Sequence, residues 1–524
     1  TETQLNRREL SQRAYLNYDK GFGDHLVQAT IGYEEIYTNI KQISASRDNF
    51  FSNQLRNLSA GNIQNQTTGG YNEEWRLRSF FGRVNYSFKD KYLLQANMRY
   101  DGSSRFGEGN RWGIFPSFSG GWRISEENFM LDNGLFSTMR LRASWGQLGN
   151  QRIGIPPDNG LYRYLNTYNL GQGYQFDDEL VQGAAVTRAG NPDITWETST
   201  MTNIGLDLGI LDDRLELVAE YFWKYTDDIL LSLPIPRTIG VAAPVQNAAA
   251  VSNNGWELAI NYHGSSRVDR AFQYTVGVNF SDVVNKIEDL KGAGPFFPDK
   301  FTVWTEGESI NSLRGLKSPG IYRSQQDLDN YPAIINPNVG IGDIIYEDLN
   351  GDGEISQSLF PAGDQYVMGN EDPRYEFGIR FNATFRGFDF GMFWQGVMRQ
   401  QHTLDGALME GPNWQNFIHE EMARETYHPE RNPNGGWPIV TAGNTWNLVE
   451  ADFWLQDTKY IRLKNFQLGY TFTQNLFSSL RIYISGENML TFTPTVLFDP
   501  ETPRGRSQFF PHSKIISGGL NVRF

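Results

Sequence analysis

The chain has 524 residues, of which 53 are glycine and 14% are aromatic, and it contains no cysteine. The absence of cysteine excludes disulfide scaffolds, thiolate zinc sites and cysteine nucleophiles. The net charge of -14 argues against a general nucleic-acid binder, which needs a basic face. The mean hydropathy is -0.49, and no window of about 18 apolar residues could form a membrane-spanning helix.

Apolar and polar residues alternate with a period near 2 along almost the whole chain. In the stretch EFGIRFNATFR, Phe377, Ile379 and Phe381 occupy one face, and Glu376 and Arg380 occupy the other. This alternation is typical of β-strands, and many runs exceed the usual globular strand of about 5–6 residues. The sequence therefore predicts an all-β protein with about fifteen strands. In chain order these lie near 10–20, 24–42, 71–89, 91–106, 112–126, 136–149, 195–211, 214–231, 246–263, 271–288, 373–387, 388–401, 455–473, 479–492 and 513–524.

The predicted connections alternate strictly between short and long. DKGFGD, KDK, LDD and RGF are short, whereas long connections fall near 43–70, 150–194, 289–372, 402–454 and 493–512. This arrangement predicts an antiparallel transmembrane β-barrel with short periplasmic turns and long extracellular loops. The last strand ends in GGLNVRF and places Leu520, Val522 and Phe524 on one face, as expected for the closing strand of such a barrel.

The number of strands predicts that the chain is part of a larger barrel. In an antiparallel sheet of fifteen strands the first and last run in the same direction, so they cannot close a barrel on each other. The opening residues TETQLNRREL also lack the apolar core of a signal peptide. Either the strand count is wrong by one, or earlier strands precede this sequence, and the second interpretation is favoured because it also accounts for the missing signal peptide.

Several ordered motifs carry a resemblance to a known family. They include RYDGSSRFGEGNRWGIFPSFSGGWRISEE, MRLRASWGQLGNQ, NPDITWETSTMTNIGLDLGIL, NNGWELAINY, DLNGDGEI, MGNEDPRYEFGIRFNATFRGFDFGMFWQG and YIRLKNFQLGYTF. Together they resemble the C-terminal half of a SusC/RagA-type TonB-dependent transporter from the outer membrane of Bacteroidota. The resemblance covers residues 1–524, and the plug, the TonB box and the first strands of the family are absent from this sequence.

The resemblance implies a barrel of about 22 strands around an N-terminal plug, so roughly seven strands would be missing here. It also implies active uptake of an oligosaccharide or peptide, driven by TonB through the N-terminal region. The expected partners are therefore TonB, outer-membrane lipid, the glycan or peptide substrate, and a SusD-like surface lipoprotein that caps the outer mouth. No enzymatic activity is expected.

The stretch YEDLNGDGEIS predicts a calcium site inside the long connection 289–372. Asp348, Asn350, Asp352 and the carbonyl of Glu354 occupy positions 1, 3, 5 and 7 of an EF-hand-like loop. Position 12 is Leu359 rather than the usual glutamate, and Asp364 is the candidate for the missing acid because SLFPAG can turn back.

Asp343 is a weaker candidate for the missing acid. The alternative to metal binding is a plain turn, since Asn-Gly and Asp-Gly both favour tight turns. If calcium binds, we expect it to stabilise an extracellular loop rather than to activate water.

Other residues suggest further functions less strongly. His419, Glu420 and His428 lack the i, i+4 histidine spacing of a zinc protease helix, so a surface loop helix is expected instead. Trp145, Trp223 and Trp256 lie on apolar faces and are expected at the lipid interface. The loop tryptophans are better candidates for contacts with substrate or lid; they are Trp304, Trp414, Trp437 and Trp446.

Two other function classes remain open at this point. A passive porin or a surface adhesin could use the same barrel, and an upstream plug with a TonB box would distinguish the importer from both. A secreted polysaccharide-degrading enzyme would instead need paired carboxylates in a soluble cleft.

Overall fold

The computed structural model describes residues 1–52, 54–130, 134–153, 160–233, 235–266, 272–332, 338–410, 418–441, 445–474, 477–502, 504 and 510–524. Strands dominate these residues, and the three α-helices are short: α1 (Gln325–Asn330), α2 (Ala407–Glu410) and α3 (Glu420–Glu425). None of the helices described is long and apolar enough to cross a membrane.

The strands fall into two groups. Fifteen build one large sheet: β1 (Glu2–Phe22), β2 (His25–Ser46), β3 (Thr67–Phe88), β4 (Tyr92–Ser103), β5 (Trp112–Arg123), β6 (Phe136–Asn150), β9 (Glu197–Ile210), β10 (Leu215–Ser232), β11 (Val245–Ser265), β12 (Gln273–Asp289), β17 (Arg374–Phe385), β18 (Phe388–Arg399), β21 (Tyr460–Gln474), β22 (Phe477–Phe492) and β23 (Ile515–Arg523). The others form two-stranded sheets: β7 (Thr167–Phe176) with β8 (Glu179–Arg188), β13 (Ser312–Leu316) with β16 (Gln365–Asn370), β14 (Gly320–Ile321) with β15 (Ile344–Ile345), and β19 (Gln401–Thr403) with β20 (Leu455–Asp457).

The large sheet has the architecture of a barrel wall. Each of its strands pairs antiparallel with the next one along the chain, and β1 and β23 form its two edges. All fifteen predicted strands are confirmed as members of this sheet, in the predicted order. The strand predicted near 10–20 is longer than expected, because β1 begins at Glu2 and stays paired with β2 to its start.

The connections follow the predicted alternation with one exception. On the turn side, Arg386 and Gly387 alone link β17 to β18, and their φ values of 44° and 91° are typical of the tight turn that joins two twisted strands. The prediction of strict alternation is wrong between β4 and β6. There the loop-side connection 104–111 is shorter than the turn-side connection 124–135, since the latter includes a 3-10 turn at Ile124–Glu126.

The outer face of the sheet carries an apolar band between two rows of aromatic rings. The lower girdle, near the short turns, contains Phe88, Tyr92 and Trp122, whose neighbouring ring centroids are 6.2 and 6.5 Å apart. The upper girdle consists of Tyr33, Phe80, Tyr100 and Trp112, with centroid distances from 4.6 to 6.2 Å.

The spacing of the two girdles matches a membrane. Tyr92 and Tyr100 are eight residues apart in β4, which corresponds to about 26 Å along the strand. With the strand tilt of roughly 40° found in such barrels, the vertical separation is about 20 Å, close to the apolar band of about 25 Å. The girdles therefore mark the two boundaries of the lipid-facing surface.

The inner face of the sheet is polar and carries ion pairs. Arg142 contacts Asp207 at 2.8 Å and Glu220 at 2.6 Å. Rings on this face lie against glycines of neighbouring strands, as Phe81 does against Gly32, where an added Cβ would come within 2.3 Å of the ring. The sheet thus has one face for lipid and one face for a water-filled interior.

Candidate functional site

The long connections on the outer side of the sheet fold together into one unit, here called the outer loop assembly. It consists of the described residues of 290–373, 400–459 and 493–514. Side chains from all three segments share a buried apolar core. This core contains Phe301, Leu313, Leu316, Ile321, Ile344, Tyr346, Ile355, Leu404, Met409, Met422, Tyr427, Trp446, Ala451, Trp454 and Leu497.

Buried hydrogen bonds join the first two segments. The hydroxyl of Tyr346 donates to the carbonyl of Trp446 at 2.8 Å, and the indole of Trp446 donates to the carbonyl of Ile344 at 2.7 Å. The side chain of Asn447 accepts from the Ile344 N–H and donates to Asp343. Burial raises the pKa of the Asp343 carboxyl, which belongs to this network rather than to the predicted metal loop.

The stretch from Asp348 to Glu354 forms a turn closed by its own side chains. The two carboxylate oxygens of Asp348 accept the N–H groups of Gly351 at 2.7 Å and Gly353 at 2.8 Å. Both glycines have positive φ, 75° and 87°, which suits residues without a Cβ. Asp352 accepts from the N–H of Glu354 at 2.9 Å, and this bond and the Asn350 amide hold the pKa of the Asp352 carboxyl below its usual value.

The chain folds back so that Asp364 contacts this turn, as the sequence predicts. It is fully buried, and one carboxylate oxygen accepts the N–H of Leu349 at 2.8 Å and that of Asn350 at 3.3 Å. Its other oxygen accepts the N–H of Ser356 at 2.7 Å. The side chain therefore ties both ends of the turn to β16, which begins at the next residue.

The side chains and carbonyl of the turn offer the kind of atoms that calcium binds. The ligand atoms of its acids, however, do not lie together in one compact group. Asp348, Asn350, Asp352 and the Glu354 carbonyl offer only oxygen, which calcium prefers, and each carboxylate oxygen keeps a second lone pair beside its N–H bond. Within the described residues, however, the one group of three acidic or histidine side chains whose ligand atoms lie within 4.8 Å of one another lies elsewhere, at Asp499, Glu501 and His512.

The acids of the group Asp499, Glu501 and His512 already form ion pairs with basic side chains. Arg462, only 2% exposed, contacts Asp499 at 2.7 Å and also pairs with Glu501. Lys464 contacts the same Glu501 carboxylate at 2.5 and 2.8 Å. Burial raises the pKa of the Asp499 carboxyl, but the Arg462 guanidinium and the backbone N–H groups of Glu501 and His512 together outweigh this effect and hold the pKa below its usual value. The cluster therefore anchors the segment 493–514 to β21, and sequence reasoning missed it.

The other residues selected from the sequence have structural roles. His419 caps α3 by accepting the N–H of Glu421, and His428 accepts two backbone N–H groups, so the expected surface helix is confirmed. Trp446 is 7% exposed and belongs to the loop core, so its proposed contact with substrate or lid is wrong. Trp414 lies outside the described residues.

The inner face of the sheet offers space for a solute. A cavity of about 540 Å³ lies against the turn-side half of β2 to β6 and β9. Amides and hydroxyls supply much of its lining, including Gln28, Asn85, Gln95 and Asn203, and Arg142 also lines it while paired with Asp207 and Glu220. Such groups can hydrogen-bond hydroxyls, amides and carboxylates of a passing molecule.

The lipid-facing band, the polar interior and the folded outer loops define an outer-membrane β-barrel of the transporter type. The chain belongs to the family described as TonB dependent receptor-like, beta-barrel, whose model matches residues 2–489. This is a family of outer-membrane transporters rather than of enzymes.

The chain is similar to curated TonB-dependent receptors. TonB-dependent receptor P3 of Formosa agariphila is 29% identical over 542 residues, which cover 97% of this chain and 52% of that protein. TonB-dependent receptor SusC of Bacteroides thetaiotaomicron is 26% identical over 540 residues, covering 98% of this chain and 50% of SusC. The chain thus spans about half the length of the curated relatives it matches.

Solved structures support the fold. The RagAB peptide transporter aligns with a TM-score of 0.80 at 24% identity, covering 99% of this chain and 55% of that chain. The RagAB peptide importer in its open-open state aligns with a TM-score of 0.81 at 23% identity.

Proposed function

We propose that this chain forms the barrel wall and outer loops of an importer that takes up oligosaccharides or peptides too large for passive pores. The observation that carries the proposal is the family match over residues 2–489, on a sheet whose inner face is polar. Energy comes from TonB acting on a part of the protein outside this chain. The protein resides in the outer membrane of a Bacteroidota cell.

A SusD-like surface lipoprotein is the proposed partner at the outer mouth. The outer loop assembly supports this assignment, because its three segments share a core and buried hydrogen bonds join the first two. A surface built this way keeps its shape better than separate flexible loops. A preformed surface suits a lipoprotein that binds and releases the outer mouth repeatedly.

Dependence of uptake on TonB tests the transport proposal. In the source cell carrying the full-length protein, removal of TonB or collapse of the proton gradient is expected to lower uptake at least tenfold. The measurement follows fluorescent oligosaccharides and fluorescent peptides separately, with deletion of the gene for this protein as the reference. If uptake requires this protein but continues without TonB, the protein is a passive porin. If uptake does not require this protein at all, the transport proposal is wrong and the surface adhesin is the remaining alternative.

We also propose that the turn from Asp348 to Glu354 takes one structural calcium ion, with Asp364 as the further acid. Two carboxylates, an amide and a carbonyl within seven residues support this assignment. Extracellular sites of this kind bind calcium with dissociation constants of about 10⁻⁴–10⁻³ M, so the ion would exchange with the medium.

Removal of calcium tests this proposal. Chelation, or Asp348→Ala, is expected to speed protease cleavage within 290–373 about tenfold and to weaken binding of the lipoprotein. Either change removes the bound cation, and Asp348→Ala also removes the acceptor of the Gly351 and Gly353 N–H groups. Asp329→Ala serves as the matched control, since Asp329 is an exposed acid of α1 in the same connection. If chelation changes neither cleavage nor lipoprotein affinity, the turn is closed by hydrogen bonds alone.

A further inference from the structure

Seven adjacent strands of the large sheet carry one continuous row of polar side chains on the inner face, here called the polar row. Cross-strand partners share a face, so the register of the sheet places each member directly opposite the next. From β1 to β9 the members are Asp19, Gln28, Asn85, Gln95, Ser119, Ser144 and Asn203. All except the first of them line the cavity of about 540 Å³.

The two ends of the polar row are hydrogen-bonded, whereas its middle is not. The amide of Gln28 donates to Asp19 at 2.7 Å, and that of Asn203 donates to Glu220 at 3.0 Å. The four members between these ends make no side-chain hydrogen bond with any described residue; they are Asn85, Gln95, Ser119 and Ser144. The side-chain oxygen of Asn85 is buried without a donor, which is unfavourable for an amide. These four residues are here called the open members.

The row two residues further out on the same face closes on itself. Thr30 donates to Asn17 at 2.8 Å. Arg83 donates to the side-chain oxygen of Asn97 at 2.8 Å, and the amide nitrogen of Asn97 donates to Ser117 at 3.1 Å. Hydrogen bonds between neighbouring strands are therefore possible on this face, and the open members differ in not making them.

The row nearer the turns offers an apolar floor and a neutralised charge. Leu26 and Leu93 occupy it on β2 and β4 and line the cavity beside the open members. Arg142 lies further along the same row and contacts Asp207 at 2.8 Å and Glu220 at 2.6 Å. The open members thus lie between a satisfied polar row and an uncharged apolar surface.

This chemistry favours a neutral chain of amides as the ligand. Each amide and hydroxyl of the open members can donate one hydrogen bond and accept another, which matches the N–H and C=O groups of a peptide backbone. A sugar ring is usually bound with its C–H face against an aromatic ring as well. Tyr86 is the one aromatic residue among the described residues of the lining, and its ring lies on the outer face, 5.9 Å from that of His25.

We propose that the open members form a subsite that hydrogen-bonds the backbone of an extended peptide as it passes along this part of the wall. The inference rests on the proposed import function and selects a peptide rather than an oligosaccharide as the substrate. Four members on adjacent strands span about 15 Å, which an extended peptide of about five residues covers. Leu26 and Leu93 would contact its side chains.

The first test captures the substrate in transit. The full-length protein is produced in the source cell with the photoreactive residue benzoylphenylalanine in place of Leu93, and a fluorescent peptide is supplied. Illumination during uptake is expected to give a fluorescent adduct with the protein, and the adduct should disappear when TonB is removed. The same photoreactive residue in place of Thr384, on the inner face of β17, is expected to give no adduct above that of dark cells.

The second test removes the hydrogen bonds. Asn85→Leu with Gln95→Met keeps the size of both side chains and is expected to lower the rate of peptide uptake about tenfold, since each hydrogen bond contributes about three- to fivefold. Gln273→Met with Asn382→Leu is the matched control: it removes two inward amides from β12 and β17, seven strands further along the sheet, and should stay within twofold of the wild type.

The outcomes separate the subsite from the importer. TonB-dependent peptide uptake without an adduct at position 93, or equal losses in the double variant and its control, would overturn the subsite and leave the importer standing. An adduct with a fluorescent oligosaccharide instead of the peptide would overturn the choice of substrate. An adduct only with the protein's own N-terminal part would show that the open members hold that part in place, and uptake that does not require the protein would overturn the importer as well.

Discussion

Replacing Arg462 with methionine is expected to release the segment around Asp499 and Glu501 from the barrel wall, at a cost of about 3–5 kcal/mol. Arg462 is the most buried member of the cluster and serves both acids. Without it, the largely buried Asp499 loses its ion-pair partner, and Glu501 keeps its contact with Lys464. Hydrogen exchange of the backbone amides from 497 to 502, measured on the full-length protein in detergent, should become more than a hundredfold faster.

Two comparisons separate this effect from a general loss of charge. Lys459→Met removes a cation whose partner Asp457 is 44% exposed, and such a surface pair contributes less than about 1 kcal/mol. Adding Asp499→Asn and Glu501→Gln to Arg462→Met should restore much of the protection, because the buried negative charges are then gone. Exchange as slow in Arg462→Met as in the wild type would show that the segment is held by apolar contacts instead.

The strands of the large sheet could be predicted from the sequence because lipid and a polar interior impose alternation on both faces. The alternation of apolar and polar residues weakens where a strand extends beyond the membrane. From Glu2 to Glu9, β1 has water on both faces, so its residues need no apolar alternation, although the backbone pairs with β2 throughout. The prediction near 10–20 therefore recovered the membrane-facing half of the strand and missed the outer half.

The outer loop assembly could be predicted only where its contacts are local. The turn from Asp348 to Glu354 is visible in the sequence because its side chains bond to backbone groups two to five residues away. The pairing of Arg462 with Asp499 and Glu501 depends on how a long connection folds back onto β21. Likewise the short strands β13 and β16 gain their stability from the shared core, and their own sequences carry no clear period.

The core of the outer loop assembly can be tested through Trp454, for which truncation to alanine is expected to cost about 3–5 kcal/mol. Trp454 is 2% exposed and packs against Trp437 and Phe453, with ring centroids 5.8 and 5.2 Å away. Its indole N–H finds no acceptor in the described part of the chain, so Trp454→Phe removes an unsatisfied donor along with some volume. That variant should cost about 1–2 kcal/mol.

The measurement is the urea dependence of protease cleavage within 400–459 in the full-length protein, with resistance of the barrel to SDS at room temperature as the check that the wall stays folded. Phe360→Ala is the matched control, because Phe360 is an aromatic residue of the same assembly that is 56% exposed. It should shift the cleavage midpoint by less than about 0.5 kcal/mol. Equal shifts for Trp454→Ala and Phe360→Ala would mean that the three segments do not share a cooperative core, and a lid could not then rely on a preformed surface.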